Sequence, residues 1–178
     1  MLEDKILVWR FKKDSKEALA SIYEKYRDDL LRIAGSLLNQ KTAAEDIVHD
    51  VFISFVRNRN SFTLTGSLKA YLVTAVVNRV RNSYRAKSIS SIDDSPDIES
   101  RLQRPEHWLL HNEQTQILND ALKQLPIEQR EAVALHIHGN MKFRQIAKLQ
   151  DVSTKTAQSR YRYGIDKLRT LLNGKVSL

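Results

Sequence analysis

The sequence predicts an all-α chain, two small helical domains joined by a flexible acidic linker, and three observations predict it. Apolar residues recur at helical rather than strand spacing along most of the 178 residues. A hydrophobic fraction of 42% supports folded cores, while only five glycines and three prolines interrupt the periodicity. Charge divides the chain in three: residues 1–87 carry 16 basic side chains against 10 acidic, 88–117 two against six, and 118–178 eleven against five. Within the acidic part, the stretch SISSIDDSPDIESRLQRPE from Ser88 to Glu106 holds two prolines and five serines, the composition of a linker. The expected organisation is therefore a first domain at 1–87, an acidic linker leading into a first helix at 88–117, and a second domain at 118–178.

The elements follow in order. Leu19, Ile22, Tyr23, Tyr26, Leu30, Ile33 and Leu37 form one apolar stripe, and Ile47, Val48, Val51, Phe52 and Phe55 a second. Thr42 and Glu45 have capping-box spacing at the start of that second helix. A break from Asn58 to Gly66 precedes a third helix over Ser67 to Lys87. Its run Val73-Thr74-Ala75-Val76-Val77 has strand-like residues, but it sits in roughly twenty residues without Gly or Pro, too long for a typical strand. Beyond the linker, the pattern predicts helices over Leu109 to Gln124 and Ile127 to His138, the latter with Pro126 in its first turn. A turn at Gly139-Asn140 leads to a short helix over Phe143 to Leu149, a tight turn at Gln150-Asp151-Val152, and Ser153 as N-cap of a last helix from Thr154 to Leu172, closed by Asn173-Gly174.

Charge and composition narrow the function. The formal charge of +8 favours a polyanionic partner, nucleic acid first. The absence of cysteine excludes disulfides and thiolate metal sites and suits a reducing compartment, with cytoplasm the expectation. The charged residues of Met1 to Phe11, and the lack of any long apolar run, point away from secretion and membrane insertion.

Two segments carry the nucleic-acid signal. Between Asp50 and Asp93 there is no acidic residue, yet Arg57, Arg59, Lys69, Arg79, Arg81, Arg85 and Lys87 occur there with Phe62, Tyr71 and Tyr84 interleaved. Cations hold phosphates and rings stack on unpaired bases; a solvated basic face is the plainer alternative. In the last helix Ala157, Tyr161, Ile165 and Leu168 form the inward stripe, so Lys155, Thr156, Gln158, Ser159, Arg160, Arg162 and Tyr163 face outward or lie at its margins. Short helix, brief turn and longer basic helix make a helix-turn-helix, whose second helix fits the major groove.

Several motifs, in order, resemble the extracytoplasmic-function group of bacterial sigma factors, the promoter-reading subunits of RNA polymerase. Ala44-Glu45-Asp46-Ile47-Val48-His49-Asp50-Val51-Phe52 is similar to a segment of their region 2, as are Ser67-Leu68-Lys69-Ala70-Tyr71-Leu72 and Val77-Asn78-Arg79. Ala121-Leu122-Lys123-Gln124-Leu125-Pro126, Gln129-Arg130-Glu131-Ala132, Gln145-Ile146-Ala147, Thr156-Ala157-Gln158-Ser159-Arg160 and Gly164-Ile165-Asp166-Lys167-Leu168-Arg169 resemble their region 4. Departures fall at His49, Arg144, Gln158 and Tyr163.

The resemblance implies roles. Asp46, His49 and Asp50 would dock on the clamp helices of the polymerase beta-prime subunit. Ser67, Lys69, Tyr71, Asn78, Arg81 and Asn82 would open and read the minus-10 strand. Lys155, Thr156, Gln158, Ser159, Arg160, Arg162 and Tyr163 would read the minus-35 duplex. It further implies contact with the beta flap, promoter DNA as ligand and an anti-sigma factor as regulator. Nothing points to catalysis: there is no Gly-rich phosphate loop and no nucleophile elbow. The histidine pairs His107/His111 and His136/His138 are the only hint of a metal, and without Cys or HExxH they are read as surface or core residues, so no metal or cofactor is expected. The rivals are a conventional helix-turn-helix regulator that binds its duplex alone and a polymerase-docking decoy.

Overall fold

The computed structural model describes residues 2–38, 40–90 and 113–176. These form eight α-helices: α1 (Leu2–Lys12), α2 (Lys16–Leu38), α3 (Lys41–Arg57), α4 (Leu68–Ser90), α5 (Glu113–Lys123), α6 (Ile127–Ile137), α7 (Phe143–Gln150) and α8 (Thr154–Val176). The all-α prediction agrees with them, and no strand occurs among the described residues. Most of the linker, with His107 and His111, lies outside the described residues.

The stripe on α2 buries Ile22, Tyr26, Leu30, Ile33 and Leu37 against α3 and α4, where Val48, Val51, Phe55, Leu72, Val73, Val76 and Val77 complete the core. The β-branched run is therefore helical, because its valines face neighbouring helices on both sides of α4. Helix α1, which the sequence reading leaves unassigned, is held to α2 by Val8 and Phe11, and Phe11 stacks on Phe55 at 4.6 Å between ring centroids. In the second half α8 lies along α6. A Cβ on Gly164 would stand 2.8 Å from Val133 Cγ2, so glycine permits this close approach.

Three boundaries differ from expectation. Gln40, not Thr42, is the N-cap of α3, and no side chain caps it; Thr42 lies inside the first turn. Helix α4 runs on to Ser90, and α8 passes through Asn173-Gly174 to Val176. Ser153 does cap α8, accepting the Thr156 N–H at 3.0 Å. Asp151 closes α7 in the left-handed region at φ 52°.

The two halves pack against each other. Ala132, Leu135, Met141, Ile146, Ala147 and Ala157 join the same apolar cluster as the core of α1–α4, with α2 packed on α6. A smaller cluster of Ala121, Leu122, Leu125, Val133 and Leu168 ties α5 and α8 to α6.

Candidate nucleic-acid interface

Helix α4 presents the first face. Ser67, Tyr71, Asn78 and Asn82 recur at steps of four and seven residues and are all exposed, so they line one side of a helix that turns every 3.6 residues. Ser67 also starts the helix, its Oγ accepting the Ala70 N–H at 3.4 Å. Tyr71 is 38% exposed and its ring leans on Phe62 at 4.7 Å between centroids, which fixes an apolar platform at the surface. Lys12 donates to the Phe62 carbonyl at 2.9 Å and holds that preceding loop on α1.

Two residues expected in this set point elsewhere. Lys69 lies on the opposite side of α4 and pairs with Asp29 of α2 at 2.7 Å. Arg81 turns toward the second half, where its Nη2 donates to Glu131 Oε1 at 2.6 Å and its Nη1 to the Leu149 carbonyl at 2.9 Å.

Helix α8 presents the second face. Lys155, Thr156, Gln158, Arg162 and Tyr163 are exposed, with Ser159 half-buried among them. The Arg162 guanidinium sits over the Tyr163 ring at 5.2 Å, and the Thr156 hydroxyl meets Ser153 Oγ at 2.8 Å. Arg160 stands apart at the margin, donating to Gln150 Oε1 of α7 at 2.9 Å. His136, by contrast, belongs to the packing behind this helix. It stacks on Phe143 at 4.5 Å, meets Tyr161 edge-on at 4.7 Å, and sets Nδ1 3.0 Å from the Met141 carbonyl.

Asp46, His49 and Asp50 are exposed together on α3, at the three- and four-residue steps that share a helix face. Asp50 pairs with Arg79 at 3.0 Å. Beside His49 runs an apolar groove of about 660 Å³ walled by Leu19, Tyr23, Phe52, Ile53 and Val56.

Between the halves lies a cleft of about 790 Å³ whose lining includes Arg81, Arg85, Arg130 and Arg160, with Glu128 and Glu131. It brings one residue of each expected DNA set into a single place. Arg130, buried and not singled out by the sequence, donates to the carbonyls of Lys123, Leu125 and Leu37 at 2.7, 3.1 and 3.4 Å. Burial pushes its guanidinium below the usual arginine range, and its Nε finds no partner among the described residues.

Comparison with known proteins assigns both halves to one family. The family model for Sigma-70 region 2 matches residues 22–89, and that for Sigma-70 region 4 matches 115–168. The chain is 25% identical to the RNA polymerase sigma factor CarQ of Myxococcus xanthus, over 92% of this chain and 94% of that one. It is 24% identical to the ECF RNA polymerase sigma-E factor of Escherichia coli K12, over 98% and 95%. Among solved structures, CnrH in complex with the cytosolic domain of CnrY matches with a TM-score of 0.70 at 20% identity, covering 97% of this chain and 98% of that one. The sigma factor RpoE of Bartonella quintana, in complex with the anti-sigma factor NepR, matches with a TM-score of 0.69 at 26% identity, covering 89% and 99%. With both Sigma-70 regions present in order, and relatives aligned over nearly their full lengths, the chain belongs to the sigma-70 family in its extracytoplasmic-function group and is a promoter-recognising sigma factor.

Proposed function

We propose that the chain binds core RNA polymerase and directs initiation by assigning one helical face to each promoter element. Residues 1–87 serve docking and the minus-10 element, 118–178 serve the minus-35 element, and the acidic segment between them sets the spacing. The supporting observation is that α4 and α8 each expose a row of hydrogen-bonding and aromatic side chains free of carboxylates over the positions named above.

On α4, Ser67, Tyr71, Asn78 and Asn82 receive the unpaired strand, with Tyr71 as a stacking platform. Lys69 and Arg81 join them only if their present ion pairs exchange for phosphate. On α8, Gln158, Ser159 and Thr156 offer groups for base edges, while Lys155, Arg162, Tyr163 and Arg160 take phosphates or guanine. Asp46, His49 and Asp50 dock on the beta-prime clamp helices, with the groove beside His49 admitting apolar side chains, and the second half contacts the beta flap.

The chain is not itself an enzyme in this reading, because nucleotide chemistry belongs to the polymerase, and it needs no cofactor or metal. No described helix is long and apolar enough to cross a membrane, which accords with work in the cytoplasm. An anti-sigma factor is a further proposed partner, by analogy with the relative bound to NepR. Reconstitution with core polymerase and a random promoter library tests the whole: a shared pair of spaced elements should emerge among transcribed members. Transcription without sequence enrichment overturns it.

A further inference from the structure

We propose that Arg81 and Arg130 form a reciprocal clasp that holds the two halves of the chain shut and withholds Arg81 from the promoter strand until a DNA phosphate takes the place of Glu131. The clasp is built from one dipeptide, Arg130-Glu131, on α6. Arg81 reaches across from α4 and grips the Glu131 carboxylate with two nitrogens, Nη2 at 2.6 Å and Nε at 3.2 Å. Its third nitrogen, Nη1, donates to the Leu149 carbonyl in the last turn of α7. Arg130 reaches the other way, to the Leu37 carbonyl in the last turn of α2 at 3.4 Å.

Each arginine therefore meets the negative end of a helix that belongs to the other half. The last turn of α2 contains no basic residue of its own, and its Leu37 carbonyl accepts from Arg130 and from the Tyr84 hydroxyl, the latter at 2.7 Å. Glu131 has a side chain only 6% exposed, so its charge is compensated chiefly by Arg81.

The two oxygens of Glu131 present to Arg81 the forked geometry that a phosphate would present. The same donors cannot serve both, so closure and strand binding compete. Arg160 lines the same cleft, and opening the seam exposes it while its bond to Gln150, within the second half, stays in place. A binding-competent state populated in a small fraction lowers apparent affinity by that fraction. The withholding rests on the proposed role of Arg81 in the strand site; the closure does not.

The absence of cysteine permits a two-label test on the full chain. Thr42→Cys on α3 and Lys167→Cys on α8 are both at exposed positions and accept a fluorophore pair. Glu131→Ala should lengthen the distance between labels and tighten binding of a random-sequence single-stranded DNA, at fixed salt, by about tenfold. Arg81→Gln should lengthen the distance without tightening DNA, with circular dichroism establishing that each single variant keeps its helical content. The double change Arg81→Glu with Glu131→Arg should restore the short distance. Unchanged distances in both single variants overturn the clasp. Opening by Glu131→Ala with unchanged DNA affinity overturns the withholding, while library transcription still stands as the separate test of promoter reading.

Discussion

Tyr26 donates its phenolic proton to Asp4 across 2.6 Å, and this hydrogen bond pins α1 to α2. Lys25 adds a second contact to the same carboxylate oxygen at 3.0 Å. Burial alone would raise the Asp4 pKa, but the bonds from Tyr26 and Lys25 outweigh it and hold the carboxyl below its ordinary range. The ionised form is thus favoured by folding. Its contribution is present above the unfolded carboxylate pKa near 4 and is lost as pH falls through the lower folded value. Tyr26→Phe should cost about 1–2 kcal/mol in urea unfolding at neutral pH, with a smaller cost in acid. An equal cost at both pH values would contradict the linkage.

Gly164 lies too close to α6 for any larger residue. Alanine is the better helix former by about 1 kcal/mol, yet its Cβ would sit 2.8 Å from Val133 Cγ2, a stiff, buried side chain. Packing should win. Gly164→Ala is expected to destabilise by about 1–2 kcal/mol, and Val133→Ala in the same chain should recover part of the loss. Additive losses in thermal unfolding would show that the contact is relieved in some other way.

His138, half-buried in the seam beside Arg32 and Lys69 of the first half, should make stability depend on pH. Burial, then Arg32, lowers its pKa despite the opposing pull of Asp29. The unfolded chain therefore takes up the proton more readily than the folded one. Stability is full above the unfolded pKa near 6.5 and falls as pH drops below it. His138→Gln should flatten the pH profile of the unfolding midpoint between 7.5 and about 5.5. A profile unchanged by the substitution would place the titration elsewhere.

On the DNA side, Arg160→Ala should weaken promoter binding by roughly 1–3 kcal/mol if the side chain reads a base once the seam opens. Arg162→Ala should act differently, lowering the salt slope of holoenzyme binding by about 0.9 for one lost phosphate contact, whatever the sequence. Filter-binding titrations over a salt series separate the two: an unchanged slope for Arg162→Ala would remove Arg162 from the phosphates, and an unchanged affinity for Arg160→Ala would remove Arg160 from the bases.

The docking face makes a sharper demand. Asp46→Lys with Asp50→Lys should abolish co-purification with core polymerase while leaving helicity unchanged, since both side chains are exposed. Retention of the polymerase would move the docking surface off α3.

The legible part of this chain is the part governed by periodicity. The stripes on α2, α3 and α8 fall on residues that are buried or, at Leu19, Tyr23, Tyr161 and Ile165, partly buried against the core, and Ser153 caps α8 as its chemistry requires. Local signals mislead where tertiary context decides: Thr42 and Glu45 have the spacing of a capping box, but the N-cap of α3 is Gln40, two residues before Thr42. Gly174 reads as a stop, yet the helix runs past it. The candidate site was legible as a list of residues and not as an arrangement. Helical spacing already sets Lys69 opposite Tyr71 on α4, but nothing local reveals Asp29 as its partner. Arg81 and Glu131 are fifty positions apart, and no periodic pattern reports a pairing between helices of different halves. Helix α1 went unseen because its apolar residues, among them exposed Leu2, Ile6 and Trp9, do not gather on one face.

Promoter melting is the step that requires this chain and core polymerase together. Permanganate probing of a duplex promoter recovered from the library should show reactive minus-10 thymines only when this chain and core polymerase are both present. Tight binding of that duplex by the chain alone, with no reactive thymines on adding polymerase, would contradict it.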